Sequence, residues 1–292
     1  PPSSGAISVN QILGILENFE LHKRSQDDPT TWQLIAEASR LAFADRGQYI
    51  ADPDFTDIPK GLMNKSYLTS RSKIIKAGQA SPAISYGLPP GFEDNKLETG
   101  NSPEQESTTH FVIVDKEGNI VSMTSTIENA FGSRLMVKGF LLNNELTDFS
   151  FLPKKNGQLV ANRVEAGKRP RSSMAPTIVF KVNPNGEQIP YLALGSPGGS
   201  RIINFVANAL IRILEWNEHL QVAFDSPHII NRFGKMELEQ DTQAVGWSEG
   251  FQKMGYPITQ QDINSGLHGV IFQKEGMFGA ADKRREGTVK GQ

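Results

Sequence analysis

The chain has 292 residues, of which 38% are apolar and 21% charged. That is enough apolar material for one large core or two small ones, without the composition of a disordered chain. Lys and Arg number 30 against 32 Asp and Glu, a formal net charge of −2, so no basic field is present to hold nucleic acid. Cysteine is absent, which excludes disulfides, thiolate metal sites and a cysteine nucleophile. No apolar run approaches the ~18 residues of a membrane-spanning helix.

In chain order, the opening Pro1-Pro2-Ser3-Ser4-Gly5 has no initiator Met and no basic-then-apolar targeting segment, as expected of a fragment or a processed chain. Ile7, Ile12, Ile15, Leu16 and Phe19 recur at helical spacing and predict a helix within 7–24. Asp28-Pro29 supplies an N-cap and a first-turn proline for a second helix reaching Tyr49. A third, short helix is predicted over 66–76. Residues 78–107 contain Pro82, Gly87, Pro89, Pro90, Gly91, Gly100 and Pro103 and read as a long loop. Loops of that length are uncommon in compact domains unless functional or disordered.

Strands follow. Residues 109–115 and 120–127 flank Lys116-Glu117-Gly118-Asn119, a hairpin signal. Further strands are predicted at 140–143, 176–182, 190–195, 234–239 and 267–273. Residues 201–216, with Ile202, Ile203, Phe205, Val206, Leu210, Ile213 and Leu214, form a strong helix. The pattern is a helical segment, a loop and then mixed α and β.

Four stretches could carry chemistry. Ser107 ends the loop and Thr108 begins a strand. If the bond between them were cut, Thr108 would present a hydroxyl and a free α-amine, a nucleophile and its base in one residue. Two threonines opening a strand are also ordinary β-formers. Gly198 and Gly199 precede the 201–216 helix, where backbone N–H groups could approach an oxyanion, or where a tight turn simply requires glycine. Glu145 and Asp148, three apart, could face one ammonium or form a solvated acidic turn. Ser172 and Ser173, beside Lys168, Arg169 and Arg171, could hold a carboxylate or belong to a basic surface loop.

Five motifs occur in order: Thr-Thr-His-Phe at 108–111, Ser-Thr-Ile-Glu at 125–128, Leu-Asn-Asn-Glu-Leu-Thr-Asp-Phe at 142–149, Pro-Arg-Ser-Ser-Met-Ala-Pro-Thr at 170–177 and Gly-Ser-Pro-Gly-Gly-Ser-Arg at 195–201. Together they closely resemble the γ-glutamyltranspeptidase family of N-terminal-nucleophile hydrolases, over essentially the whole chain. The Ala44-Asp45-Arg46 and Asp52-Pro53-Asp54 stretches resemble the late part of that family's large subunit.

The resemblance implies an α+β fold of two stacked antiparallel sheets between helices. It implies a precursor that cuts itself between Ser107 and Thr108. Residues 1–107 would then end the large subunit, and 108–292 would form the small catalytic subunit of a heterodimer. By motif position, Thr108 is the nucleophile, Thr126 hydrogen-bonds it, and Gly198 and Gly199 form the oxyanion hole. Ser172 and Ser173 hold the substrate α-carboxylate, and Glu145 and Asp148 hold its α-ammonium. Glu128 stands where some members carry Asn, and is expected to face the substrate if its strand is regular.

The implied donor is glutathione or a related γ-glutamyl compound, and the acceptor is water, an amino acid or a peptide. Poly-γ-glutamate is an alternative substrate, and an inactive binding remnant an alternative reading. Neither cofactor nor metal is implied. The partner is the remainder of the large subunit, and the expected location is periplasmic or secreted.

Overall fold

The computed structural model describes residues 5–92, 97–100 and 107–291. The expectations for 1–4 and for parts of the 78–107 loop lie outside the described residues. The chain forms two compact units. One holds 1–104, 145–172 and 227–263; the other holds 105–144, 173–226 and 264–292. These are packing units. The 1–107 and 108–292 division expected above is a covalent one. Among the described residues no helix is long and apolar enough to cross a membrane.

In the first unit, Gly5–Leu16 packs along Pro29–Tyr49. The helix predicted within 7–24 stops at Leu16 and continues as two 3-10 turns, because Glu20 adopts a left-handed backbone with φ 46°. Asp28 caps the second helix, its carboxylate accepting from Thr30 N–H at 2.8 Å, with Pro29 in the first turn. The third helix is Lys65–Ser72, capped by Asn64 rather than starting at Ser66. Ile12, Ile15, Trp32, Leu34, Leu41 and Tyr49 are at most 1% exposed and form the core between these helices.

Asp45 is buried in this unit. It accepts from Arg71 at 3.2 Å, Tyr67 at 2.7 Å, Gln11 at 3.1 Å and Gly87 N–H at 2.9 Å. These four bonds answer the desolvation that pushes its pKa up.

The second unit is layered. Gly276–Ala281, His268–Gln273, Gln188–Gly195 and Thr177–Val182 make a four-stranded antiparallel sheet in that order. Helices Ile202–Leu214 and Leu220–Asp225 pack on it. The hairpin of Ser107–Val114 and Ile120–Glu128 stacks against the same sheet. There Ser122 Oγ donates to Leu194 O at 3.3 Å. The His110 ring fills the space at Gly195, where an added Cβ would come within 2.3 Å of it. The expected α+β character and stacked antiparallel sheets are therefore present. The hairpin's outer face carries Phe111, Ile113, Val121 and Met123, which are 37–55% exposed.

Candidate functional site

The hairpin places two threonines together. Thr108 lies opposite Thr126 in the antiparallel register, and Ser107 lies opposite Glu128. Thr108 Oγ1 is 3.2 Å from Thr126 Oγ1. Thr126 Oγ1 is in turn 3.2 Å from the carbonyl oxygen of Ser107. It also accepts from Glu128 N–H at 2.9 Å. A hydroxyl has one proton to donate, and a carbonyl can only accept. Thr126 therefore donates to Ser107 O, and Thr108 donates to Thr126. The chain of hydroxyls ends on the carbonyl of the peptide bond that precedes Thr108. Donation there polarises that carbonyl, while Thr108 gains a path for its proton.

The pairing skips one residue at this point. Ser107–Glu128 and Thr108–Thr126 leave Ile127 as an extra residue, a bulge, and Glu128 adopts φ 71°. The regular two-residue repeat expected to carry Thr126 and Glu128 on one face is thus interrupted. Glu128 is 3% exposed, and its carboxylate accepts from Asn144 Nδ2. Asn144 also accepts from Asn129 N–H at 3.0 Å and donates its own N–H to Ile127 O at 3.3 Å. Asn144 stands inside the 142–149 motif, but only the folded chain reveals that it supports Glu128.

His110, two residues beyond Thr108, pairs through Nδ1 with Thr124 Oγ1 at 2.9 Å. Burial, with a smaller contribution from His268, holds its pKa down at about 4, so the imidazole is neutral near pH 7.

The strand against which it packs, Gln188–Gly195, leads directly into the glycine turn. Gly198 and Gly199 take φ 136° and 56°. A Cβ on Gly198 would meet the Phe205 ring at 2.4 Å. Glycine is thus required there by both backbone and packing. Ser173, 2% exposed, belongs to the same unit. Arg285 was not foreseen. Its Nη1 is 3.4 Å from Thr108 O, and its Nη2 is anchored on Asn264 O at 2.9 Å. It lies far from Thr108 in sequence, in a stretch without a local signal.

Glu145, Asp148 and Ser172 belong to the other unit. Glu145–Asp148 is a 3-10 turn in which Asp148 is 5% exposed. The segment leading to Ser172 is fixed by several bonds. Arg169 donates to Asp52 from N at 2.8 Å, Nε at 3.0 Å and Nη2 at 2.7 Å. These bonds hold the Asp52 carboxyl well below the usual carboxylate range. Lys168 Nζ donates to Ala161 O at 2.8 Å, and Arg171 Nη1 to Arg46 O at 2.9 Å. The 44–46 and 52–54 stretches thus serve to hold 168–171. Among the described residues no three His, Asp or Glu side chains gather to hold a metal ion.

The chain is similar over its whole length to proteins of one family. The family model described as Gamma-glutamyltranspeptidase matches residues 1–292. The glutathione hydrolase proenzyme of Bacillus subtilis strain 168 is 35% identical, over 100% of this chain and 50% of that protein. The chain therefore spans about half the length of such curated relatives. The γ-glutamyltranspeptidase of Pseudomonas nitroreducens, solved in complex with L-DON, is 32% identical with a TM-score of 0.55, over 63% of this chain and 99% of that one. The cephalosporin acylase of Bacillus halodurans, 21% identical, shares the fold with a TM-score of 0.81 over 100% of this chain and 50% of its own. The chain belongs to the γ-glutamyltranspeptidase family of N-terminal-nucleophile hydrolases.

Proposed function

We propose that this chain is the catalytic half of a self-cleaving γ-glutamyltransferase that also hydrolyses glutathione and related γ-glutamyl compounds. The observation that carries the reading is the hydroxyl chain from Thr108 through Thr126 to the Ser107 carbonyl. In maturation, Thr108 Oγ attacks that carbonyl carbon. The amide C–N bond breaks, the proton passes to the Thr108 nitrogen, and the resulting ester is hydrolysed. Residues 108–292 become the small subunit, and 1–107 end the large one. The 63% of this chain matched by the Pseudomonas nitroreducens chain is the share that 108–292 occupy, which supports the division.

Thr108 then carries both nucleophile and base. An α-amine has a pKa near ~8, so a useful fraction is neutral at physiological pH. The amine accepts the proton as Thr108 Oγ attacks the γ-carbonyl of the donor. Gly198 and Gly199 N–H groups stabilise the oxyanion. Collapse transfers the proton to the departing amine and leaves a γ-glutamyl ester on Thr108. Water, an amino acid or a peptide attacks that ester and restores the hydroxyl. Glu145 and Asp148 take the donor's α-ammonium, and Ser172 and Ser173 its α-carboxylate; Glu128, buried against Asn144 beyond the bulge, is left out of the substrate contacts.

The partner is the remainder of the large subunit. The apolar face of Phe111, Ile113, Val121 and Met123 is the surface we assign to it, since exposed apolar faces of this kind mark contact sites. A periplasmic or secreted location follows from the family resemblance. The test is brief exposure of the complete, matured protein to a γ-glutamyl anilide, then intact mass and peptide mapping. One γ-glutamyl group on the fragment beginning at Thr108 supports the reading; an adduct on another residue, or none during turnover, contradicts it.

A further inference from the structure

Asn162 carries none of the signals that marked the site in the sequence. It follows the short strand Gln158–Val160 and is 1% exposed. Its carboxamide joins two separate backbone segments. Nδ2 donates to the carbonyl of Asp148 at 2.7 Å. Oδ1 accepts from the N–H of Arg171 at 3.0 Å. Its own carbonyl accepts from Ser150 N–H at 2.8 Å. The amide orientation is fixed by its partners, since a backbone carbonyl only accepts and a backbone N–H only donates. Asp148 ends the 3-10 turn Glu145–Asp148, and Arg171 immediately precedes Ser172. All of these residues lie in one compact unit.

We propose that Asn162 is a positioning residue for donor binding, setting the spacing between Asp148 and Ser172. The proposal rests on the reading of these two residues as ammonium and carboxylate ligands. The two charges of an α-amino acid are attached to one carbon, so the groups that receive them must keep one separation. Here they stand on chain segments more than twenty residues apart. One buried planar amide, bonded to both backbones, couples the segments with few rotatable bonds between them. Displacing either segment would leave a buried polar group without its partner.

Asn162→Asp tests this in the complete matured enzyme. The substitution keeps size and the acceptor for Arg171, and replaces the donor that faces Asp148 O by an acceptor. The expected result is a KM for a γ-glutamyl anilide raised about tenfold, the scale of one lost buried hydrogen bond, with kcat changed by less than about threefold. Competitive inhibition by free glutamate weakens in parallel, whereas inhibition by glutarate, which lacks the ammonium, changes by less than about twofold. A fall in kcat at unchanged KM, or equal weakening of glutamate and glutarate, overturns the proposal. If Asn162→Asp does not mature, Asn162→Ser, which is smaller and admits water, is read by the same criteria. Failure of both variants to mature makes Asn162 a folding residue and also overturns the proposal. Asp148→Ala run alongside separates the two ideas. If it leaves KM unchanged, the ammonium assignment itself has failed. If it raises KM while Asn162→Asp does not, only the positioning role is lost.

Discussion

The hydroxyls of Thr108 and Thr126 meet at 3.2 Å across the hairpin, and the Thr126 proton is committed to the carbonyl of Ser107. One side chain therefore contacts both the hydroxyl of Thr108 and the carbonyl of the bond preceding it, and self-cleavage at that bond, as proposed, would depend on it. Thr126→Val removes that hydroxyl while keeping a β-branched shape. Self-cleavage is expected to slow by about 100-fold or more, within the range for a positioned proton-transfer group. Thr126→Ser, which retains the hydroxyl, should stay within about tenfold of the native rate. The readout is the time course of precursor loss on a denaturing gel. Equal slowing in both variants would assign the effect to packing.

If Asp148 takes the donor ammonium as proposed, its near-complete burial, 5% exposed, raises the worth of a charge-assisted bond. Asp148→Ala is expected to lower kcat/KM for a γ-glutamyl donor by roughly 10–150-fold, corresponding to about 1.5–3 kcal/mol. A donor without the α-amino group should be nearly indifferent, and self-cleavage should continue. Equal losses for both donors would make Asp148 structural.

His110 gives the protein an acid-labile point. Its ordinary pKa is 6.5 and burial lowers it to about 4 in the fold, with the partners Thr124, Gly195 and His268 around it. Between these values the unfolded chain binds a proton that the folded chain refuses. Stability is therefore complete above about pH 6.5 and falls as pH drops toward about 4, by up to about 3 kcal/mol. The urea midpoint followed across this window should fall in the native protein and less steeply in His110→Gln. Parallel curves would place the acid sensitivity elsewhere.

Gly198 combines φ 136° with a Cβ position only 2.4 Å from Phe205. Gly198→Ala is expected to cost about 1–3 kcal/mol from backbone strain and overpacking. Phe205→Leu in the same chain should recover part of that loss, because it relieves the ring contact and leaves the strain. Thermal melts of the four proteins in this cycle decide it. Full recovery would mean the backbone is not strained, and no recovery would mean the ring contact is not the problem.

The hairpin was readable in sequence because a β-rich run at 109–115 and a return strand alternating apolar and hydroxyl residues flank a Gly-containing turn, and the local pattern is all that such an element needs. Asp28-Pro29 likewise announces its helix through chemistry confined to one turn. The break at Glu20 was not readable, since nothing local demands a left-handed backbone at a glutamate. The bulge at Ile127 was hidden for a related reason: register depends on both strands, whereas alternation is a property of one. The strand Gly276–Ala281 was missed because its glycines carry no strand signal and its pairing partner, His268–Gln273, supplies the order. The motif residues around Thr108, Glu145 and Ser172 stood out by residue type and position with alternatives left open, and the resemblance decided between them. Their supports, Asn144, Asn162, Asp52 and Arg285, act through contacts between distant segments that no local pattern records.

The most direct test of the central claim is the intact mass of the complete protein and of its Thr108→Ala variant after identical expression. The account predicts two chains for the native protein, the smaller beginning at Thr108, and one uncut chain for the variant. A native protein that remains uncut while turning over a γ-glutamyl donor, or a Thr108→Ala variant cleaved at the same bond, would contradict it.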